Sequence, residues 1–473
     1  MSRPVSRATT PALNAVLRSL APLIVAEAYL ATTVALFALG PWPWPVEDGT
    51  MLYLFLLASH TCLAIGYVAA GPTTRVSTRA PRAPALTVLA GSMLIILLAW
   101  PTVATWAGGG SIVGAVMTAW VNPATMYRAA SDFESQKAGT PWITYARTLS
   151  APLTLAVLPL LVVYWRRLGR TVRLLAVGAS MVQFAVVVSS GRNKGLADLL
   201  IVLSSCWAIV MVRRGRGLHL RKKIGILAGV AVTVLVFATF FERGSAGRAG
   251  PTGDRSRFTT LNMTANYGHP LVALLPGAFQ DGAVSLMGYF SIGYYGLYLS
   301  LREPFLTCYG FGHSNFLRVA GERLFGLTGI LERTIPYRVQ EDFGWDMYGL
   351  WHTAYPWLAS DIGFTGVALL MIVIGWVTAK AWMDARQGHS PAAVVLFTQL
   401  ATALWYLPAN NQILAFPEQM VAFWVWLAVW FRYRRSRERR HAAALKRVRA
   451  SHRAESARID EEPGQHVAEA GAR

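Results

Sequence analysis

The stretch of residues 358–379, "LASDIGFTGVALLMIVIGWVTA", decides the fold. It is predominantly apolar and holds one ionisable side chain, Asp361. A helix needs roughly 20 such residues to cross the hydrocarbon core of a bilayer. Runs of the same character recur at 19–40, 51–70, 85–106, 148–165, 174–190, 196–212, 224–241, 391–408 and 418–431. The expectation is an all-α polytopic membrane protein of about ten spans. The chain of 473 residues is 54% hydrophobic and only 14% charged, which excludes a disordered chain and argues against an ordinary soluble enzyme. Its three cysteines, Cys62, Cys206 and Cys308, are far apart and form no C-x-x-C, which excludes a disulfide framework and a cysteine zinc site. The first apolar run has no convincing cleavage site after it and reads as a span rather than a signal peptide.

Charge orients the spans. Residues 1–18, 71–84, 166–173, 213–223, 380–390 and 432–473 fall on one side and hold 30 Lys/Arg against 7 Asp/Glu. The other side holds 14 of each, and Glu27, Asp198 and Asp361 lie within spans. The net charge of +20 is therefore one-sided, as the positive-inside rule demands. Both termini are expected in the cytoplasm, and the charge calls for no nucleic acid. The expected organisation is a cytoplasmic N-terminus (1–18), seven spans (19–241), a large extracytoplasmic loop (242–357), three spans (358–431) and a basic cytoplasmic tail (432–473) on anionic headgroups, disordered beyond Glu455. The apolar stretch 284–301 would, crossing alone, force the basic tail outside. It is expected to lie in the interface, to re-enter, or to pair with a weak span near 269–280, which would raise the count towards twelve. No repeat of fixed period argues for a duplicated transporter.

The long loops draw attention first. Segment 242–357 has nine Arg, no Lys and nine acids. Arg without Lys suits bidentate binding of phosphate or carboxylate, although an Arg-rich genome gives the same pattern. "SSGRNKG" (189–195) joins two spans and sets Arg192 and Lys194 at the external surface against the charge rule, facing either an anion or headgroups. "FFERGSAGRAGPTGDRSRF" (240–258) places Arg243, Arg248, Arg255 and Arg257 on Gly-rich backbone that can approach a phosphate. "GLWHTAYPWLASDIGFTG" (349–366) puts His352 and Tyr355 at a membrane mouth, with Asp361 and Gly363 beyond. There a His near neutral pKa can act as general base, or simply pack. "PWPWPVEDG" (41–49) carries adjacent carboxylates, Glu47 and Asp48. Asp198 is expected to pair with a base on another helix, and Glu27 to face the interior of the bundle.

The third of these motifs resembles the O-antigen ligase and O-antigen polymerase superfamily of bacterial membrane enzymes. In "HTAYPWLASDIGFTG", His352, Asp361, Gly363 and Gly366 match the ligase pattern, while Thr353 stands where ligases commonly have Asn. Arg192 in "SSGRNKG" and Arg243 in "ERG" resemble the family's external arginines. Arg257/Gly268, Arg318/Gly329, Arg333/Gly344 and Arg338/Gly349 repeat the Arg-x10-Gly spacing described for polymerases. The resemblance covers roughly 85–431. It implies a C-type glycosyltransferase (GT-C) fold in the bacterial cytoplasmic membrane and a substrate of polyprenyl-pyrophosphate-linked oligosaccharide. It leaves open a polysaccharide chain-length regulator as partner. His352, Arg192 and Arg243 would be catalytic. Lys194, Arg248, Arg255, Arg257, Arg318, Arg338, Tyr355 and Asp361 would bind substrate, with no cofactor and no metal. The rival readings are ligation of the glycan to a final acceptor, a polyprenyl-monophosphate-dependent glycosyltransferase using Glu47 and Asp48, and a lipid or solute transporter.

Overall fold

In lipid a backbone must satisfy its own N–H and C=O groups, so apolar runs become helices. The computed structural model describes residues 9–71, 84–107, 110–135, 141–214, 239, 241–244, 257–388 and 390–461. Among these, the only strands are the two-residue pair Arg257–Phe258 and Met263–Thr264. The first half contributes α1 (Thr9–Leu39), α2 (Thr50–Ala69), α3 (Ala85–Ala107), α4 (Ile112–Val121), α5 (Pro123–Ser135), α6 (Pro141–Tyr164), α7 (Arg170–Ser189) and α8 (Asn193–Arg214). The second contributes α9 (Gly277–Ser300), α10 (Asn315–Phe325), α11 (Ile335–Phe343), α12 (Tyr355–Gln387), α13 (Pro391–Tyr406) and α14 (Pro417–Glu461). Single helical turns occur at Pro270–Ala273 and Ile330–Arg333.

Seven described helices are long and apolar enough to cross a membrane: α1, α2, α3, α6, α7, α8 and α12. They coincide with seven of the ten expected spans. The other three differ. The run 224–241 lies outside the described residues except for Thr239 and Phe241. The run 391–408 forms α13, whose 16 residues make roughly 24 Å of helix, short of the bilayer core. Its residues 392–400 are all buried in protein, so its length need not match the lipid. The run 418–431 begins α14, a 45-residue helix whose apolar part stops at Arg432. That helix continues to Glu461, past the point where the sequence suggests order ends.

The most extensive helix pair is α2 with α12. Gly66 of α2 lies against the Ile372 carbonyl, and Gly375 of α12 lies against the backbone of Leu63 and Tyr67. A side chain at either would collide with backbone. Lipid tails offer no hydrophobic drive between helices, so small residues that allow such close approach hold them together. Beside this pair, α13 runs through the bundle and packs on α6, α8, α12 and α14.

The basic segments gather at one end. Trp382 Nε1 donates to the Arg18 carbonyl (3.1 Å), and Arg213 Nε donates to the Ala385 carbonyl (2.8 Å). Asp384 pairs with Arg437 (3.1 Å) and Arg434 (3.4 Å) and accepts from Trp430 Nε1 (3.0 Å). The start of α1 and the ends of α8 and α12 thus meet the basic stretch of α14, and all belong to the side that the charge count makes positive. The stretch 284–301 belongs to α9, whose last ten residues are almost wholly buried against α1, α2, α11 and α12. It does not lie along the surface there, because its glycines press into the chain: Gly293 against Pro408 and Thr353, Gly296 against Trp351 and His352.

Candidate active site at the non-basic end

At the other end, α13 delivers a polar loop, "LPANNQILAF" (407–416), between two apolar helices. Thr353 N donates to the Ala409 carbonyl (3.0 Å) and Ala354 N to the Leu407 carbonyl (2.9 Å). Asn411 Nδ2 donates to the His313 carbonyl (2.8 Å). Phe416 lies under Lys194 Nζ, 5.0 Å from its ring centre, and the Tyr406 hydroxyl donates to the Lys194 carbonyl (3.3 Å). One segment therefore joins the start of α8, the His352 loop and the 306–314 loop.

His352 is 1% exposed. Its Nδ1 contacts the Leu350 carbonyl at 3.0 Å, and Thr353 beside it adopts a left-handed φ of 64°. Nε2 has no hydrogen-bond partner among the described residues. Burial lowers the imidazole pKa to about 4. The ring is neutral at physiological pH and can accept a proton, but it is a weaker base than the near-neutral His expected from sequence. Asn193 and the Gln412 side-chain carbonyl also have buried polar atoms without a partner among the described residues. Buried polar groups are almost always paired, so these are free to engage a bound molecule.

Arg243 approaches the same region through aromatic contacts. Phe241 meets Tyr289 of α9 edge-on at 5.2 Å, and Tyr289 meets Trp351, next to His352, at 4.8 Å. Arg243 itself is exposed, donates to the Trp120 carbonyl (3.0 Å) and stacks over the Trp120 ring. The turn before Arg192 meets the same α4–α5 junction: Gly191, at φ 66°, presses on Pro123 and Tyr127. Two of the three expected catalytic residues thus share a platform, and an aromatic bridge leads from it to the third.

The other expected site residues divide. Lys194 pairs with Asp198 one turn along α8 (2.9 Å), so Asp198 finds its base on its own helix rather than on another. Arg318 pairs with Glu322 (2.9 Å) and Asn315. Arg338 binds Glu303 (3.1 Å) and the Pro304 carbonyl (2.7 Å), fastening α11 to the end of α9. Burial pushes the Glu303 carboxyl up, the Arg338 guanidinium pulls it down, and burial wins. Tyr355 is 1% exposed and packs edge-on against Phe55, a core position and not a surface offered to substrate. Asp361 accepts from the N–H groups of Gly310 and Gly312 (both 2.9 Å) and His313 (2.8 Å), and meets His313 Nδ1 at 2.8 Å. It holds the 306–314 loop in place. Gly363, at φ 70° and ψ 165°, breaks α12 just after it. Arg248, Arg255 and the Arg257 side chain lie outside the described residues.

Three partners were not foreseen in the sequence. His313 and the 410–412 amides take their roles from contacts with residues far along the chain. The signal available was three amides, Asn410, Asn411 and Gln412, between apolar helices. The third is His60, which pairs with Glu27 across α1 and α2 at 2.7 Å, so Glu27 has a partner inside the bundle. Asp48 accepts from Thr50 N (2.9 Å) ahead of α2, and Thr50 holds its carboxyl below the ordinary range. Glu47 remains open at the surface. Among the described residues no three His, Cys, Asp or Glu side chains group as a metal site.

Comparison of the chain with family models, curated proteins and solved structures gives no match. The functional reading therefore rests on the geometry of this end and on the motifs that run through it.

Proposed function

We propose that this protein is a membrane glycosyltransferase of GT-C-like architecture. It joins polyprenyl-pyrophosphate-linked oligosaccharide repeat units into a surface polysaccharide at the outer face of a bacterial cytoplasmic membrane. The observation that carries this reading is the convergence of neutral His352, its Nε2 unpaired, with exposed Arg243 through the Phe241–Tyr289–Trp351 bridge. Glycosyl transfer from a pyrophosphate asks a protein for a proton acceptor and for cations at the leaving group, and this end carries both kinds of residue.

The step balances without a nucleotide. A hydroxyl oxygen of the acceptor sugar attacks the anomeric carbon of the donor chain. The C–O bond to pyrophosphate breaks, and the polyprenyl pyrophosphate leaves with the bonding pair. The hydroxyl proton passes to His352 Nε2 once substrate opens the loop around it. Arg243 and Arg192 offset the negative charge gathering on the leaving group, and a single displacement inverts the anomeric centre. Lys194 would supply a further cation, held ready by Asp198 and Phe416.

A second reading has one observation in its favour. Glu47 is exposed at this end, so its carboxylate is open to a substrate, as the acid of a monophosphate-dependent glycosyltransferase would have to be. The test compares a deletion strain carrying wild type, His352→Ala, or the double variant Glu47→Gln/Asp48→Asn. Lipid-linked glycans and surface polysaccharide are sized in each. A stall at single lipid-linked repeats with His352→Ala, and polymer with the double variant, supports the polymerase. Full-length lipid-linked chains that never leave the carrier would mean ligation. Complete loss in the double variant alone would favour the second reading; polymer of reduced yield would not.

A further inference from the structure

A cleft of about 240 Å³ opens beside the His352 loop, between the α1–α2 connection and the end of α9. Its walls include Glu47, Tyr295, Tyr298, Arg302, Phe343 and Trp345. The space is below the roughly 300–1,000 Å³ of pockets for drug-sized ligands, and suits one small ring. No motif in the sequence pointed to Arg302, Tyr295 or Tyr298.

The lining is rigid where it is apolar and open where it is polar. Tyr295 and Trp345 are 7% and 0% exposed and stand at 64° to each other with centres 5.0 Å apart. Trp44 stacks on Tyr295 at 5.8 Å. These rings are packed into the protein and form a fixed apolar floor. The rim carries one acid and one base, Glu47 and Arg302, both exposed. Both are tied to the same hydroxyl: Arg302 Nη2 donates to the Tyr298 oxygen, stacking over that ring at 4.5 Å, and Glu47 N–H reaches it too. The guanidinium is thus fixed over the Tyr298 phenol, and the Glu47 carboxylate stands exposed on the same rim.

That chemistry selects among ligands. A phosphate would gain from Arg302 but face the Glu47 carboxylate. An acyl chain would find an apolar floor but a charged rim and too little length. A neutral polyhydroxylated ring suits the rim: its hydroxyls meet the guanidinium and carboxylate, and it brings no charge against either. The cleft also adjoins the catalytic loop, because Trp345 Nε1 donates to the Trp351 carbonyl (3.1 Å) and Gly296 abuts His352. We propose that the Glu47–Tyr295–Tyr298–Arg302–Trp345 cleft is a subsite for one neutral pyranose ring, placing the acceptor glycan beside His352. The placement beside His352 rests on the function proposed above; binding of the ring does not.

The test uses the full chain in lipid nanodiscs and saturation-transfer NMR with methyl glycosides of glucose, galactose, mannose and N-acetylglucosamine. Transfer to at least one glycoside is expected, reduced tenfold or more by Arg302→Ala and by Glu47→Gln. Both positions are exposed, so the melting temperature should hold, and Phe343→Ala at the lip should weaken transfer less. No transfer to any glycoside overturns the subsite, as does transfer indifferent to both rim variants. Displacement by inorganic pyrophosphate at equimolar concentration would also overturn it, marking an anion site. The two readings fail separately. Glycoside binding with normal polymer in His352→Ala would remove the polymerase and keep the subsite. A polymer stall in His352→Ala with no glycoside binding would do the reverse.

Discussion

At the scale of single residues, burial decides what each charged or polar group can do. His352 shows this in its pH dependence. A group whose folded pKa is lowered stabilises the fold fully above its unfolded value, near 6.5, and loses that contribution as pH falls towards the folded value. For His352 the folded value is about 4. Between pH 6.5 and 4 the melting temperature of wild type in detergent should fall more steeply than that of His352→Gln; parallel curves would mean that the imidazole is not buried. Asp361 is the opposite case, a carboxylate that spends its lone pairs on a loop. Asp361→Ala leaves the N–H groups of Gly310, Gly312 and His313 without their acceptor. A buried group left unpaired costs about 1–3 kcal/mol. Limited proteolysis should then cut within 306–314 at a protease dose that spares wild type. The sequence placed Asp361 on a helix, as the structure does, yet nothing local reveals that its partners lie some fifty residues earlier. Arg318 and Arg338, expected from the sequence to bind substrate, each hold a carboxylate instead: Glu322 is visible one turn away, but Glu303 becomes a neighbour only when α11 folds onto α9.

At the scale of elements, lipid thickness made the structure legible. Seven expected spans appear as helices of sufficient length because a bilayer fixes both the length and the polarity of what crosses it. The rule weakens where protein replaces lipid. The central helix α13 is short because its neighbours, not lipid, surround it, and α9 is buried by glycine contacts that hydropathy does not see. Those contacts can be tested. Gly375→Leu would drive a side chain into the Leu63 and Tyr67 backbone, and overpacking costs about 1–3 kcal/mol or more. It should lower the melting temperature of the purified protein, whereas Gly178→Ala, which meets nothing within 4 Å, should not. The half-buried Glu27–His60 pair joins α1 to α2. His60→Ala leaves the Glu27 carboxylate without that partner, with an expected loss of roughly 1–3 kcal/mol.

At the scale of the whole molecule, the two ends differ in chemistry. One collects the basic segments around Asp384. The other collects His352, Arg192, Arg243, the amides of 410–412 and the aromatic cleft. The charge count read this polarity from sequence, since it needs only the order of spans and the sign of loops. The convergence at the second end was not legible, because it depends on the 407–416 loop reaching residues 194, 313 and 353 together. If the basic end faces the cytoplasm, Arg302→Cys in a cysteine-free background should react with an impermeant maleimide on intact cells, and Arg439→Cys only after permeabilisation. The reverse pattern would invert the protein and remove the external site.

The central claim is that this end forms glycosidic bonds at the expense of a lipid pyrophosphate. The most direct measurement uses purified protein in proteoliposomes with lipid-linked repeat units extracted from the deletion strain. Products are sized on a gel, and released polyprenyl pyrophosphate is quantified. Wild type should give a ladder of lengthening chains with one pyrophosphate-bearing lipid released per bond formed, and His352→Ala should give neither. Unchanged substrate with wild type, or a ladder that His352→Ala leaves intact, would contradict the account.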